Sequence, residues 1–281
     1  MHNEIFYTNK DIKETKLAVI SDIHFNDKYN RKIFTKILNQ ISNNKPNYIT
    51  IVGDILDTSN TTNLDDLRDF LESLSKISTT LVVLGNHDEK AGEMHKWISE
   101  KNEKLIKILT SIDNLYYLND STYTKDNITF YGFNLSYDYY EIQHETYESF
   151  VTELKNIECN INKKDYNITL FHSPINIYTY IKNNKEHNLN NSDLILSGHM
   201  HNGCLPFTIS YILNKLFKCS RGLISPTRKL FPKYAQGRIY ERDGYVFQGI
   251  MKLAHSTKFF NYFDFIFQKK VQFITIKPNK K

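Results

Sequence analysis

Seven residues of this 281-residue chain carry nitrogen or oxygen donors in a pattern that suits metal binding: Asp22, His24, Asp54, Asn86, His172, His199 and His201. Each follows the end of a short apolar run. Residues 17–20 (LAVI) lead into Ser21, Asp22, Ile23 and His24, and residues 48–52 (YITIV) lead into Gly53-Asp54-Ile55-Leu56-Asp57. Residues 81–84 (LVVL) precede Gly85-Asn86-His87-Asp88, residues 168–171 (ITLF) precede His172, and residues 194–196 (LIL) precede Gly198-His199-Met200-His201. Imidazole mixed with carboxylate and amide oxygen suits Mn, Fe, Zn or Ni, and no thiolate set marks a structural zinc. Cys204 is close in sequence, but a free cysteine is usually a small buried hydrophobe. Seven donors exceed the needs of one ion; two ions sharing a carboxylate would use them all. Ion pairs about 3.5–4 Å apart clamp the attacking and leaving oxygens of phosphoester hydrolysis.

The apolar runs themselves read as strands buried on both faces. Helical patterns around 30–43 and 64–76 lie between the first three. Strands alternating with helices predict an α/β fold with a mostly parallel sheet, whose ligands gather outside the C-terminal strand ends. Gly198 would let the chain turn. If residues 199–201 stay extended, His199 and His201 point to the same side. His2, His95, His144, His187 and His255 lie away from the strand ends and read as solvated.

The ordered blocks Asp-x-His, Gly-Asp-x-x-Asp, Gly-Asn-His-Asp, His and Gly-His-x-His, from Asp22 to His201, closely resemble the calcineurin-like metallophosphoesterases. The resemblance implies a four-layer αββα sandwich. Residues 1–203 would form the core with the dinuclear site, and the basic extension 204–281 would complete the same domain. It also implies that Asp22, His24 and His201 hold one divalent ion, that Asn86, His172 and His199 hold the other, and that Asp54 bridges. His87 would protonate or stabilise the leaving oxygen, so His87, Asp54 and Asn86 form the catalytic set. Asp57 and Asp88 would orient ligands or turns, with a helix cap as the plainer role for Asp57. The resemblance implies a metal-activated hydroxide attacking phosphorus in line, with manganese the favoured ion. No serine or cysteine nucleophile is needed.

Residues 232–237 (PKYAQG) and 271–278 (VQFITIKP) resemble the bacterial YkuE/YaeI-like branch, some of whose members are linked to envelope or lipid-related substrates. This chain departs from that branch in reading Gly-His-Met-His-Asn-Gly where members often read Gly-His-Thr-His-Gly-Gly. The resemblance implies a phosphomonoester or phosphodiester substrate, lipid-linked in the reading favoured here.

Charge adds a partner. Residues 1–203 hold 21 Lys and Arg against 28 Asp and Glu, whereas residues 204–281 hold 15 against 3. So lopsided a distribution points to a polyanion: an anionic membrane, nucleic acid or a phosphorylated substrate. Ile209, Ile212, Leu213, Leu216 and Phe217 recur at helical spacing, with Lys215, Lys218 and Arg221 beside them. The expectation is that this stripe packs on the body while the basic cluster meets an anion. Residues 259–267 (FFNYFDFIF) read as a sheet edge or core strand, and the Tyr-rich segment 134–166 as a candidate cleft wall. The first sixteen residues hold no apolar leader, and no run reaches the about 20 apolar residues of a bilayer span. Three cysteines without a CxxC pair fit a reducing compartment. The expected location is the cytoplasm, peripheral at the inner membrane face. A nuclease or nucleotide phosphodiesterase is the alternative, and a metal-bearing scaffold without activity is a weaker one.

Overall fold

The computed structural model describes residues 3–25, 31–57, 63–89, 96–134, 152, 155, 162–183, 189, 191–201, 207–218, 222, 230–235, 237–239, 244–246 and 271–279. Two six-stranded sheets organise them. The first takes β1 (Asn3–Thr8), β2 (Thr15–Ile20), β3 (Tyr48–Val52), β4 (Thr79–Val83), β5 (Leu115–Tyr117) and β12 (Gln272–Pro278), in the order β1-β12-β2-β3-β4-β5. The second takes β6 (Ser121–Lys125), β7 (Ile128–Phe133), β8 (Tyr166–Phe171), β9 (Leu194–Ser197), β10 (Gly237–Ile239) and β11 (Gly244–Val246), in the order β10-β11-β9-β8-β7-β6. Strands β2 to β5 pair in parallel, as do β7, β8, β9 and β11. The expected strands at 17–20, 48–52, 81–84, 168–171 and 194–196 are β2, β3, β4, β8 and β9. The expected helices are α1 (Arg31–Asn44) and α2 (Asp65–Ile77).

The unbroken apolar runs follow from the layering. Successive side chains of a strand point to opposite faces, so a strand covered on both sides must be apolar at every position. Leu17, Val19, Tyr48, Val52, Leu81 and Val83 of the first sheet meet Ile128, Phe130, Ile168, Leu170, Leu194 and Leu196 of the second. The alternate residues Ala18, Ile20, Ile49, Ile51 and Val82 face outward. They pack on Phe34, Ile37 and Ile41 of α1, on Leu67, Phe70, Leu71 and Leu74 of α2, and on Leu105 and Leu109 of α3 (Lys96–Ser111). Tyr131, Phe133, Phe171 and Ile195 pack on Ile177 and Tyr178 of α4 (Pro174–Asn183). The four layers are therefore helix, sheet, sheet, helix, the αββα sandwich the motifs imply.

One expectation fails. In α5 (Phe207–Phe217), Ile209, Ile212, Leu216 and Phe217 are exposed and only Leu213 is half-buried, so most of the apolar stripe does not pack on the body. Helical periodicity defines an apolar face but does not say what that face meets. Cys204, residues 259–267, most of 134–166 and the five outlying histidines lie outside the described residues.

The layer between the sheets has no solvent-facing side to relax into. Phe130 is fully buried there. Phe130→Ala is expected to destabilise the fold by about 3–5 kcal/mol, read as a fall in the urea midpoint at unchanged slope.

Candidate metal centre

The loops after β2 and β3 run side by side and carry the pairing past the sheet edge. Asp22 N–H donates to Gly53 O at 3.0 Å, His24 N–H to Asp54 O at 3.0 Å, and Phe25 N–H to Ile55 O at 2.7 Å. In the other sheet, Gly198 N–H donates to His172 O at 2.9 Å. Backbone bonds thus fix the spacing of the donors before any side chain is considered.

The local backbone is unusual. Asp22, His24, Asp54, His199 and His201 all have positive φ, between 44° and 69°. Non-glycine residues rarely adopt that region, and such conformations cluster at functional sites. The extended chain expected at 199–201 is therefore absent. Met200 N–H donates to Gly198 O at 2.8 Å, which closes a tight turn at His199 while the Met200 side chain is buried beneath it. Both imidazoles still reach the same site, by curling and not by alternation. At Gly198 a Cβ would overlap Ser21 Oγ, and at Gly85 it would overlap Asp54 Oδ1, so neither position has room for a side chain.

Six of the seven expected residues converge in two groups whose donor atoms lie within 4.8 Å of one another. Asp22, His24, Asp54 and His201 form one; Asp54, His172 and His199 form the other. Asp54 belongs to both. Its Oδ2 lies 3.1 Å from His172 Nε2 and 3.7 Å from His24 Nε2. His24 Nε2 and His201 Nε2 face each other at 3.2 Å, and His201 Nε2 lies 3.7 Å from Asp22 Oδ1. Asn86 sits on the turn after β4, and its Oδ1 is a buried acceptor with no hydrogen-bond partner. His87, the next residue, donates its backbone N–H to Asp54 Oδ1 at 2.9 Å, and its ring meets that of His24 edge-on at 4.8 Å.

Several neighbours hold these donors still. Ser21, to which sequence reasoning assigned no role, donates to Asp22 Oδ2 at 2.5 Å and to Val52 O at 2.9 Å. A hydroxyl directly before Asp22, at the end of an apolar strand, was the available signal. His199 N–H adds a bond at 3.1 Å to each Asp22 oxygen. Asp88 accepts from Ile55, Leu56 and Gly85 N–H at 2.8–3.0 Å, so it joins the β3 and β4 turns. Asn102 of α3 reaches Asp88 O, and Asn134 Oδ1 accepts from Leu84 N–H at 3.1 Å. Asp57 caps no part of α2, whose N-cap is Leu64; its N–H donates to Phe25 O at 2.8 Å and its side chain is buried.

The electrostatics suit cations. Burial works against a charge on Asp54, but His172, His87 and His24 together hold its carboxyl well below the usual range. Burial pushes Asp22 up, opposed by His201 and His172. Burial likewise opposes a charge on His172, yet Asp54 overrides it and lifts the ring to about 9. Burial and then His172 take His199 down to about 3, leaving it a neutral donor. Burial and then Asp54 raise Asp88 to about 6. An unpartnered amide oxygen, two buried carboxylates and four converging imidazoles match the donor chemistry of a two-cation site.

Calcineurin-like phosphoesterases match residues 15–203, and the chain belongs to that family. The family is dimetal-dependent, and the two groups described above are its candidate ligands here. The chain is 25% identical over 194 residues to an uncharacterized metallophosphoesterase of Campylobacter jejuni, covering 68% of this chain and 45% of that one. It is 24% identical over 237 residues to one of Helicobacter pylori, covering 82% and 56% respectively. The chain thus spans about half the length of these two relatives. A dimetal phosphatase from Danio rerio superposes with a TM-score of 0.39 and 10% identity, covering 67% of this chain and 82% of that one.

Metal uptake is expected to release a proton. Without a cation His172 titrates at about 9, above the ordinary ~6.5, so its ring is charged at pH 7.5. A ligating imidazole must be neutral. Manganese affinity should therefore climb as pH rises toward 9. Titration calorimetry at pH 7.5 in buffers of different ionisation enthalpy should give a slope near one proton released; a slope of zero would contradict this.

Proposed function

We propose that the chain is a dinuclear phosphoesterase that hydrolyses a phosphomonoester or phosphodiester. Asp22, His24, Asp54 and His201 would hold one divalent cation, and Asp54, Asn86, His172 and His199 would hold the other. The observation that carries this reading is the shared carboxylate: Asp54 alone belongs to both donor groups. A bound pair of divalent cations supplies Lewis acidity and acidifies a water to near neutrality. The residues do the rest. Asp54 fixes the separation of the two groups, and its hydrogen bond from His87 N–H holds the turn that carries Asn86 and His87. The His87 ring, half-buried beside His24, stands where it can give a proton to a leaving oxygen. Ser21 and His199 N–H bind Asp22 through hydrogen bonds that leave Oδ1 facing His201.

Manganese is the ion we propose among Mn, Fe, Zn and Ni. The substrate we favour is a phosphate ester on a lipid or envelope precursor, met at the cytoplasmic face of the membrane. The basic character of residues 204–281 supports an anionic surface or substrate. The same charge supports a nuclease as the second reading, since a phosphate backbone would also meet it. No helix among the described residues is long and apolar enough to cross a membrane.

Metal-stripped protein given back Mn²⁺ should hydrolyse a chromogenic phosphodiester or the matching monoester, and the preferred ester will narrow the substrate class. His87→Ala should lower kcat by about 10²- to 10⁴-fold while two ions remain bound. Asp54→Asn should abolish turnover and lower the metal content measured by mass spectrometry. Full turnover by either variant would overturn the assignment.

A further inference from the structure

Helix α5 starts six residues after His201, and its apolar stripe is out of place for a helix packed on a sandwich. At 100° per residue, Ile209, Ile212, Leu213 and Leu216 fall within about a third of the circumference. Leu213 is half-buried. Ile209, Ile212, Leu216 and Phe217 are exposed, together with Leu230 and Phe231 farther on; the six are between 48% and 70% exposed. Gly222 N–H donates to Pro232 O at 3.2 Å, which brings the 230–232 segment back to the chain five residues beyond the helix end. A folded surface rarely presents six large hydrophobes within two neighbouring segments without a use for them.

The charge around this surface chooses the occupant. Residues 204–240 contain seven Lys and Arg and no Asp or Glu. Lys215 and Lys218 sit on and just past the helix, and Lys233 follows Phe231; all three are exposed. A second copy of the chain would set Lys215, Lys218 and Lys233 against their own images, since a two-fold interface places like patches together. A nucleic acid backbone would take the lysines but leave the hydrophobes in water. An anionic bilayer takes both, with apolar side chains entering the headgroup–acyl boundary and lysines meeting lipid phosphates.

We infer that α5 and the 230–233 segment form a docking surface for an anionic membrane, on which the helix lies in the interface plane. The inference deepens the proposed lipid-linked substrate, because the docked element begins six residues from His201. It predicts that the ester is taken from the membrane surface and not from free solution.

The test is co-sedimentation of the full chain with vesicles of phosphatidylglycerol and phosphatidylcholine, beside vesicles of phosphatidylcholine alone, at low and high salt. Binding is expected to the anionic vesicles, weakening with salt and nearly absent on the neutral ones. The double variant I212D/L216D should lose it. K215E/K218E should weaken it by more than the roughly fivefold per charge that neutralising a lysine would give. Hydrolysis of a soluble chromogenic ester by both variants should match the unaltered chain, since neither touches the metal site. Vesicle binding without hydrolysis would keep the docking surface and remove the phosphoesterase reading, so the two fail separately. Three results would overturn the inference: no vesicle binding, equal binding to neutral vesicles, or anionic binding that survives both variants. Displacement from vesicles by duplex DNA, with I212D/L216D still binding that DNA, would assign the face to nucleic acid. Concentration-dependent dimers lost in I212D/L216D, without vesicle binding, would assign it to a second copy.

Discussion

The centre depends on one buried carboxylate held in common. Asp54 is almost fully buried, its backbone curls through a left-handed conformation, and its oxygens face His172, His24 and the His87 amide. A carboxylate in that position is tolerable only because opposite charge surrounds it. Moving it would separate the two donor groups. Much of the local structure reads as restraint on this residue: Gly85 makes room for it, and Asp88 ties its turn to the turn of Asn86 and His87.

The sandwich supplies the rigidity this needs. Each ligand-bearing loop leaves a strand that is buried on both faces, so its starting point is fixed by packing in three apolar layers. The parallel ladder then continues through backbone bonds between the β2 and β3 loops, and between the β8 and β9 loops. Strands β2 and β3 come from one sheet and β8 and β9 from the other, so the six converging donors meet only because the two sheets stack with their C-terminal edges together. Left-handed φ at five of the seven donors is strain that such a frame can sustain.

The C-terminal quarter has two characters. Strands β10, β11 and β12 are absorbed into the sheets, and β12 sits between β1 and β2. Helix α5 instead turns apolar residues toward solvent within a segment that has no acidic residue.

The sequence by itself singled out the candidate donors and determined the strands that carry them. An uninterrupted apolar run is the direct signature of a strand covered on both sides, and a donor placed straight after it falls at the sheet edge. The short or half-exposed strands β1, β5, β6, β10 and β11 were not legible, because their alternation is weak and their pairing comes from distant partners. Nor could spacing reveal how His199 and His201 reach one site. That is decided by burial of Met200 and by the lack of room at Gly198, both contacts between segments far apart in the chain. The direction of the α5 stripe was likewise settled only by the tertiary structure: periodicity fixes which residues share a face, whereas the neighbouring layers decide whether that face is covered.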